Sequence, residues 1–276
     1  MKKVIITGGL GNQMFQYAFA LALRSKGIET KLDISYYDFW KKYNWNMHNG
    51  YELQDVFCIN EECICSQGIH MKWLRLLDRH DPFSIIMKDD NTYHPEFAES
   101  HSHYYYGYWQ DERYFQHIKK LVKEVFVFQN IDLQNLRVAE EMKSCNSVSL
   151  HIRRGDYEQF GMTLMGESYY QKAINLILQR TKNPTFYIFS DDVIEAKNIA
   201  ERMHISYQLI DLNKGKNSYK DMYLMSNCQH NIIANSSFSW WAAWLNNNMD
   251  KVIIAPSIWD NKLKGFHPQL DCWELL

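Results

Sequence analysis

The chain has 276 residues, 46% hydrophobic and 22% charged, which is enough for one large or two medium-sized domains of a folded protein. Its formal net charge of -2, from 30 basic and 32 acidic side chains, argues against a general nucleic-acid or anionic-membrane binder. No run approaches the roughly 18 apolar residues of a membrane span, and the apolar run at 4–6 is too short for a secretion signal. The six cysteines contain no CxxC pair, so we expect reduced thiols in a cytoplasmic protein.

The first predicted unit is a strand, a glycine turn, a buried helix and a second strand. These elements lie at 4–6, 8–11, 12–26 and 30–34. Because the N-terminus of a helix favours an anion, Gly11 and Asn12 are candidates to face a ligand. Met14 stands where the third glycine of a dinucleotide fingerprint would be, so the sequence gives only weak support for a dinucleotide cofactor.

Aromatic residues crowd the region from 36 to 110. Residues 104–110, Tyr-Tyr-Tyr-Gly-Tyr-Trp-Gln, predict a strand with a polar end. Clustered tyrosine and tryptophan are equally typical of a core and of a sugar-binding cleft, because each ring joins an apolar face to a polar group. A short amphipathic helix is predicted at 72–79, and the acidic run at 89–91 is interpreted as solvated surface.

Apolar strands and helices alternate regularly after residue 147. Further helices are predicted at 111–125 and 132–143, and a domain boundary at 145–146, so that residues 1–145 and 146–276 form separate domains. In the second domain, strands are predicted at 148–152, 185–189, 207–210, 231–234 and 252–255, with helices at 169–179, 193–203, 219–225 and 238–246. This alternation predicts a doubly wound parallel sheet, and the whole chain an α/β fold of two Rossmann-like domains facing a cleft.

Polar clusters follow three of these strands. They are Arg153, Arg154 and Asp156 after the first strand, Asp191 and Asp192 after the second, and Asn235, Ser236 and Ser237 after the fourth. In open α/β sheets, ligands bind beyond the carboxyl ends of the strands. The planar fork of arginine suits phosphate, and hydroxyls at a helix start can hold phosphate as well. The pattern therefore predicts a nucleotide site.

The acidic pair Asp191 and Asp192 is open to two interpretations. It could hold Mg²⁺ or Mn²⁺ against a sugar-nucleotide pyrophosphate, or one carboxylate could accept both N–H groups on the edge of guanine. Two arginines would already neutralise the pyrophosphate, so we favour base recognition and no metal. Cys63, Cys65 and His70 lack the spacing of a zinc site. A metal-dependent sugar-nucleotide transferase and a non-catalytic carbohydrate-binding protein remain alternatives.

Five motifs occur in order along the chain. They are GGLGNQMFQY at 8–17, GYWQ at 107–110, HIRRGDY at 151–157, FSDD at 189–192 and NSSFSWWAAWL at 235–245. Together they closely resemble the α-1,2-fucosyltransferases of glycosyltransferase family 11, in particular the bacterial forms without a membrane anchor. The resemblance implies a GT-B-like fold, GDP-β-L-fucose as donor, a galactose-terminated glycan as acceptor, inversion at the anomeric carbon, and neither a metal nor another cofactor. A lipid-linked acceptor would bring the protein to the inner face of the cell membrane.

The resemblance also implies roles for individual residues. Arg153 would hold the β-phosphate, His151 and Asp192 would recognise guanine, and Ser236 or Ser237 would contact the pyrophosphate. The remaining candidates on the donor side are Arg154, Asp191, Asn235, Gly11 and Asn12, and those on the acceptor side are Tyr108, Trp109 and Gln110. Asp156 is the candidate general base, with an ion pair to Arg153 or Arg154 as its alternative role.

Overall fold

The protein is described by a computed structural model covering residues 1–41, 48–65, 83–155, 157, 161–263 and 265–276. The predicted helix at 72–79, His70 and the candidate base Asp156 lie outside these residues. The chain divides into two compact units, Met1–Gln129 and Asn130–Leu276. No helix in the described part of the chain is long and apolar enough to cross a bilayer.

The division between the units lies before the helix Leu133–Lys143, whereas the sequence placed the boundary after this helix. Polar contacts attach the start of the helix to the second unit. Lys220 Nζ donates to Asp132 Oδ2 at 2.9 Å, and Asn135 Nδ2 donates to Asn213 Oδ1 at 3.0 Å. The helix therefore packs as part of the second unit.

The first unit is built on a four-stranded parallel sheet. Its strands are β1 (Lys2–Ile5), β2 (Thr30–Asp33), β3 (Ile86–Lys88) and β4 (Tyr104–Tyr106), in the order β2-β1-β4-β3. Its helices are α1 (Leu10–Ser25), α2 (Ser35–Lys41), α3 (Leu53–Phe57) and α4 (Lys119–Val125), with short 3₁₀ turns at Glu112–Tyr114 and Gln116–Ile118. The predicted βαβ unit is thus present, but the predicted helix at 111–125 is shorter and begins as 3₁₀ turns.

The second unit is built on a six-stranded parallel sheet. Its strands are β5 (Ser147–Ile152), β6 (Thr185–Ser190), β7 (Tyr207–Ile210), β8 (His230–Ile232), β9 (Ile253–Ala255) and β10 (Glu274–Leu275), in the order β10-β9-β8-β5-β6-β7. Its helices are α5 (Leu133–Lys143), α6 (Glu167–Arg180), α7 (Val193–Arg202), α8 (Tyr219–Asn227) and α9 (Ser237–Leu245). The five predicted strands are all present, and β10 was missed because two residues carry no periodic signal.

Helix α9 is apolar on all sides and is buried accordingly. Trp240, Trp241 and Trp244 are all buried, and Trp240 Nε1 donates to the carbonyl of Pro268 at 2.7 Å. The strand β5 is also buried along its whole length at the centre of the sheet. Packing therefore fixes both the strand that leads into Arg153 and the helix that begins at Ser237.

Candidate functional site

Three polar strand ends lie side by side at the carboxyl edge of the second sheet. β5 pairs in parallel with β6 on one side and with β8 on the other, and Ile152 lies opposite Ser190. Residues that follow these strands therefore meet at one edge, where open α/β sheets bind their ligands. The predicted residues there are Arg153 and Arg154 after β5, Asp191 and Asp192 after β6, and Asn235, Ser236 and Ser237 after β8.

Asp191 holds the loop that carries the two arginines. Its Oδ2 lies 3.3 Å from Arg153 Nη1, and its Oδ1 accepts the backbone N–H of Arg154 at 2.9 Å. The side chains of Arg153 and Asp191 are 24% and 23% exposed, so both remain within reach of solvent. Asp191, predicted as a donor-binding residue, is placed here as a group that orients Arg153.

Gly155 is required by the close approach of Asp191. A Cβ built at position 155 would lie less than 3.0 Å from Asp191 Oδ2, a separation that real Cβ atoms do not adopt. Gly155 is therefore needed because any side chain at this position would collide with the carboxylate of Asp191.

Tyr157 joins the ends of β5 and β8. Its hydroxyl donates to the carbonyl of Asn235 at 3.0 Å, and the Arg153 guanidinium carbon lies 5.3 Å from the centre of its ring. The side-chain amide of Asn235 donates to the carbonyls of Thr163 at 2.8 Å and Trp259 at 2.9 Å. The amide nitrogen of Asn235 thus braces two loops, and its contact with the donor stays a prediction. Tyr157 lies within the motif at 151–157, yet the sequence predicted no role for its side chain.

His151 is a neutral, buried histidine beside Arg153. It is 4% exposed, and its ring centre lies 6.2 Å from that of Phe238. Burial, assisted by the positive charge of Arg153, lowers the pKa of His151 to about 3. Its Nδ1 is buried and finds no hydrogen-bond partner among the residues that the structure describes. A neutral ring with an unsatisfied nitrogen suits a polar, uncharged ligand edge.

Asp192 and Ser236 both occupy helix N-cap positions. Asp192 Oδ1 accepts the backbone N–H of Glu195 at 3.0 Å and thereby caps α7, so one of its oxygens is engaged. Ser236 precedes α9 but makes no side-chain capping bond, and Ser237 is the first residue of that helix. The N-terminus of α9 therefore carries two hydroxyl groups at the carboxyl edge of the second sheet. This arrangement suits phosphate oxygens.

Asp221 is a carboxyl group for which the sequence predicted no role. It lies in the first turn of α8 and, because α8 follows β7, it lies at the carboxyl edge of the same sheet. Burial raises the pKa of Asp221 to about 7, although its hydrogen bond from Asn213 Nδ2, at 2.8 Å, opposes the increase. The only signal in the sequence was a single aspartate in an otherwise ordinary helix.

The glycine turn of the first unit differs from its predicted form. α1 begins at Leu10, with Gly9 as its N-cap, and Gly11 is buried within the first helical turn. Gly11 therefore lies inside the helix and not in the predicted turn, and its place on the donor side stays a prediction. Asn12 is only partly buried, and its Oδ1 accepts a hydrogen bond from Gln110 Nε2 at 2.6 Å. One predicted donor-side residue is thus bonded to one predicted acceptor-side residue.

The three predicted acceptor residues after β4 have different environments. Trp109 is 0% exposed, and its ring stacks on Phe19 with a centroid distance of 4.4 Å. It is a core residue, so the prediction that it contacts the acceptor is wrong. Tyr108, in contrast, is 41% exposed.

Within the described ranges, no group of three or more histidine, cysteine, aspartate or glutamate side chains could hold a metal ion.

Comparison with known proteins agrees with these features. The sequence profile of Glycosyl transferase family 11 matches residues 83–267. An alpha-1,2-colitosyltransferase of Escherichia coli is 34% identical over 97% of this chain and 96% of its own length. The O-antigen biosynthesis glycosyltransferase WbnK of the same species is 31% identical over 94% of this chain and 96% of its own.

Among solved structures, the fucosyltransferase NodZ from Bradyrhizobium matches with a TM-score of 0.52, covering 87% of this chain and 91% of that one. At 13% identity this likeness concerns the fold alone, and it confirms the predicted GT-B-like α/β class. The family match and the identity to full-length relatives confirm the resemblance found in the motifs. The chain belongs to glycosyltransferase family 11.

Proposed function

We propose that this glycosyltransferase moves L-fucose from GDP-β-L-fucose to the 2-hydroxyl of a terminal galactose in a glycan, with inversion and without a metal ion. One observation carries the proposal. Arg153 is held by Asp191 at the carboxyl edge of the second sheet, beside a neutral His151 with an unsatisfied ring nitrogen. A fixed cation next to an uncharged polar group suits a diphosphate joined to a base.

Arg153 supplies a positive charge where negative charge develops during the reaction. As the bond between the sugar and the diphosphate breaks, the sugar becomes oxocarbenium-like and negative charge builds on the β-phosphate. A cation already oriented toward that oxygen needs little reorganisation, and removing such a group typically costs a factor of about 10²–10³ in rate. Asp191 provides the orientation, because it holds both the guanidinium and the backbone of the loop.

Recognition of guanine requires an acceptor for two adjacent N–H groups, which a carboxylate can supply. Asp192, the predicted residue, already uses one oxygen to cap α7. Asp221 is a second carboxyl group at the same sheet edge, and we propose it as the alternative partner of the base. The affinities of Asp192→Asn and Asp221→Asn for GDP, measured by calorimetry, decide between the two residues.

A second donor is favoured by a specific observation, since the relative with 34% identity is named an α-1,2-colitosyltransferase. Colitose is L-fucose without its 3-hydroxyl. A site that hydrogen-bonds this hydroxyl rejects the deoxy sugar by a factor of up to about 10⁴–10⁵, whereas a site that only accommodates it discriminates weakly. Competition between GDP-fucose and GDP-colitose therefore identifies the donor.

The proposed acceptor is a galactose-terminated bacterial glycan. The relative named for O-antigen biosynthesis supports an acceptor of the polysaccharide class. If that glycan is lipid-linked in the cell, the enzyme works at the inner face of the membrane. Asp156 stays a predicted general base.

The test of the proposed function is a transfer assay with GDP-fucose, a panel of terminal-galactose disaccharides and excess EDTA. We expect an α-1,2-fucosylated product, identified by NMR. Activity that EDTA abolishes and Mn²⁺ or Mg²⁺ restores would support the metal-dependent alternative instead. A protein that binds the disaccharides but neither hydrolyses GDP-fucose or GDP-colitose nor transfers either sugar would be a carbohydrate-binding protein.

A further inference from the structure

The carboxyl edge of the first sheet carries an ordered loop that includes the three residues predicted on the acceptor side. The loop follows β4 and comprises residues 107–110. Gln16 fixes its beginning, because its Nε2 donates to the carbonyl of Gly107 at 2.8 Å while its Oε1 accepts the N–H of Thr7 at 3.0 Å. The loop is therefore tied to the segment that follows β1.

Asp89, which follows β3, fixes the middle of the loop. Its Oδ2 accepts the backbone N–H groups of Tyr108 at 3.0 Å and of Trp109 at 2.8 Å. Its Oδ1 accepts the N–H of Asn91 at 2.9 Å. Asp89 was interpreted as solvated surface from the sequence, and the structure corrects this, because its carboxylate serves three backbone donors.

Position 107 must be a glycine for this contact to form. A Cβ built on Gly107 would overlap the side chain of Asp89, with the nearest atom closer than 3.0 Å. On the other side of Tyr108, Trp109 has a left-handed backbone with φ of 55° and a completely buried ring. A bulky residue in this conformation is unusual, and such positions persist only where the surrounding structure enforces them.

Tyr108 stands exposed between these two anchors. The two residues beside it, Gly107 and Trp109, are fixed by Asp89 and by burial, while Tyr108 keeps 41% of its surface exposed. Burial of part of the residue, with a smaller contribution from Tyr36, raises the pKa of Tyr108. Tyr36 and Tyr37 come from the first turn of α2, which follows β2, and their ring centres are 6.2 Å apart.

These tyrosines give the edge an aromatic character. The Tyr37 hydroxyl donates to the carbonyl of Gly8 at 2.6 Å, which attaches α2 to the turn after β1. Ring faces next to hydroxyl groups suit a neutral saccharide, whose apolar C–H face packs on a ring. The alternative is that Tyr108 only covers the rim of the core.

We propose that Tyr108 is the platform on which the acceptor sugar packs, and that Asp89 is the positioning residue that sets the orientation of Tyr108 by holding its backbone. The inference rests on the proposed function, in that the ligand is the neutral galactoside of the acceptor. It names the acceptor contact within the first unit and assigns a role to Asp89.

The first test compares Tyr108→Ala with Tyr108→Phe. Loss of a stacking ring is expected to raise the acceptor KM by about 10-fold, in line with the contribution of a single aromatic contact. The KM for GDP-fucose and the rate of donor hydrolysis without acceptor are expected to stay unchanged. Tyr108→Phe keeps the ring face and should retain an acceptor KM near that of the parent. Tyr93→Ala, which removes a half-buried tyrosine elsewhere in the first unit, is the matched control.

The second test uses Asp89→Asn, with the adjacent Asp90→Asn as control. Asp89→Asn weakens the bonds to the loop backbone, so the acceptor KM should rise while kcat at saturating acceptor changes little. In the double variant with Tyr108→Ala, Asp89→Asn should raise the acceptor KM no further, because the ring it positions is gone. A purely structural role for Asp89 would give additive effects and overturn its assignment.

Direct binding separates this inference from the proposed function. Saturation-transfer NMR with lactose needs no donor and no transfer. If lactose binds to the parent and its signal is lost in Tyr108→Ala, the platform holds even where no fucose is transferred. If the folded Tyr108→Ala variant binds lactose like the parent, or if the parent binds none, the platform is overturned.

Discussion

The carboxylate of Asp191 contacts both arginines that follow β5, the guanidinium of Arg153 at 3.3 Å and the backbone N–H of Arg154 at 2.9 Å. This pair of contacts makes the conformation of the loop that carries both arginines depend on a residue from the neighbouring strand. Consequences for activity follow at Asp191, at Gly155 and at Arg153 itself.

Asp191→Asn should lower kcat more than it raises the donor KM. The variant keeps the shape of the side chain and a carbonyl oxygen for the Arg154 N–H, but it loses the charge that orients Arg153. We expect a fall in kcat of about 10-fold to 100-fold, less than the loss of the arginine itself. Steady-state kinetics with GDP-fucose measure it, and Asp250→Asn provides a control at an exposed acidic residue that precedes β9, at the opposite edge of the sheet. An unchanged kcat would remove Asp191 from the account.

Gly155→Ala should impair activity in the same way as Asp191→Asn. The added methyl group would lie too close to Asp191 Oδ2 and would push the carboxylate away from Arg153. Gly166→Ala is the matched control, because a Cβ at Gly166 meets nothing within 4 Å. Equal activity of the two alanine variants in the transfer assay would contradict the proposed crowding.

His151 should contribute to acid sensitivity. Its folded-state pKa of about 3 lies below its ordinary value of 6.5, so the unfolded chain binds the proton more readily. The stability from keeping His151 neutral is present above pH 6.5 and is lost as the pH falls toward 3, by roughly 2–3 kcal/mol at pH 4.5. Urea unfolding at pH 7.5 and 4.5 should therefore show a smaller loss for His151→Gln than for the parent. The exposed His101 offers the control variant His101→Gln, and a loss in His151→Gln as large as that of the parent would refute the prediction.

Asp221 should have the opposite effect on the pH dependence of stability, because it destabilises the folded protein as the pH rises. Its pKa is raised from 3.8 to about 7, so the folded state holds this proton more tightly than the unfolded chain does. The corresponding stability is present below pH 4 and is lost as the pH rises through 7. Asp221→Asn removes this dependence, and relative to the parent it should be more stable at pH 8 than at pH 5 by about 1–3 kcal/mol. Urea unfolding without ligand at the two pH values measures the difference, and equal effects at both would exclude the raised pKa.

The strand ends could be predicted from the sequence because they depend on local alternation and on a general rule for parallel sheets. Which of two adjacent carboxylates turns toward the arginines could not be predicted, since it depends on the register of β6 against β5. Asp191 contacts Arg153, and Asp192 caps α7. Nothing in the sequence distinguishes these two roles of adjacent aspartates.

The environments of the residues after β4 were harder to predict for a different reason. A left-handed backbone at Trp109 places its ring in the core on Phe19, and no periodic pattern reports a single positive φ. The burial of Asp221 likewise depends on a tertiary neighbour, Asn213, from the loop before α8. Such features arise from packing between segments that are distant in the chain.

The central claim is that Arg153 stabilises the departing diphosphate. Its most direct test is the kcat of Arg153→Ala at saturating GDP-fucose and acceptor, with the melting temperature recorded on the same protein. The account predicts a fall of about 10²–10³ with an intact fold. A folded Arg153→Ala variant that retains most of the parent kcat would contradict it.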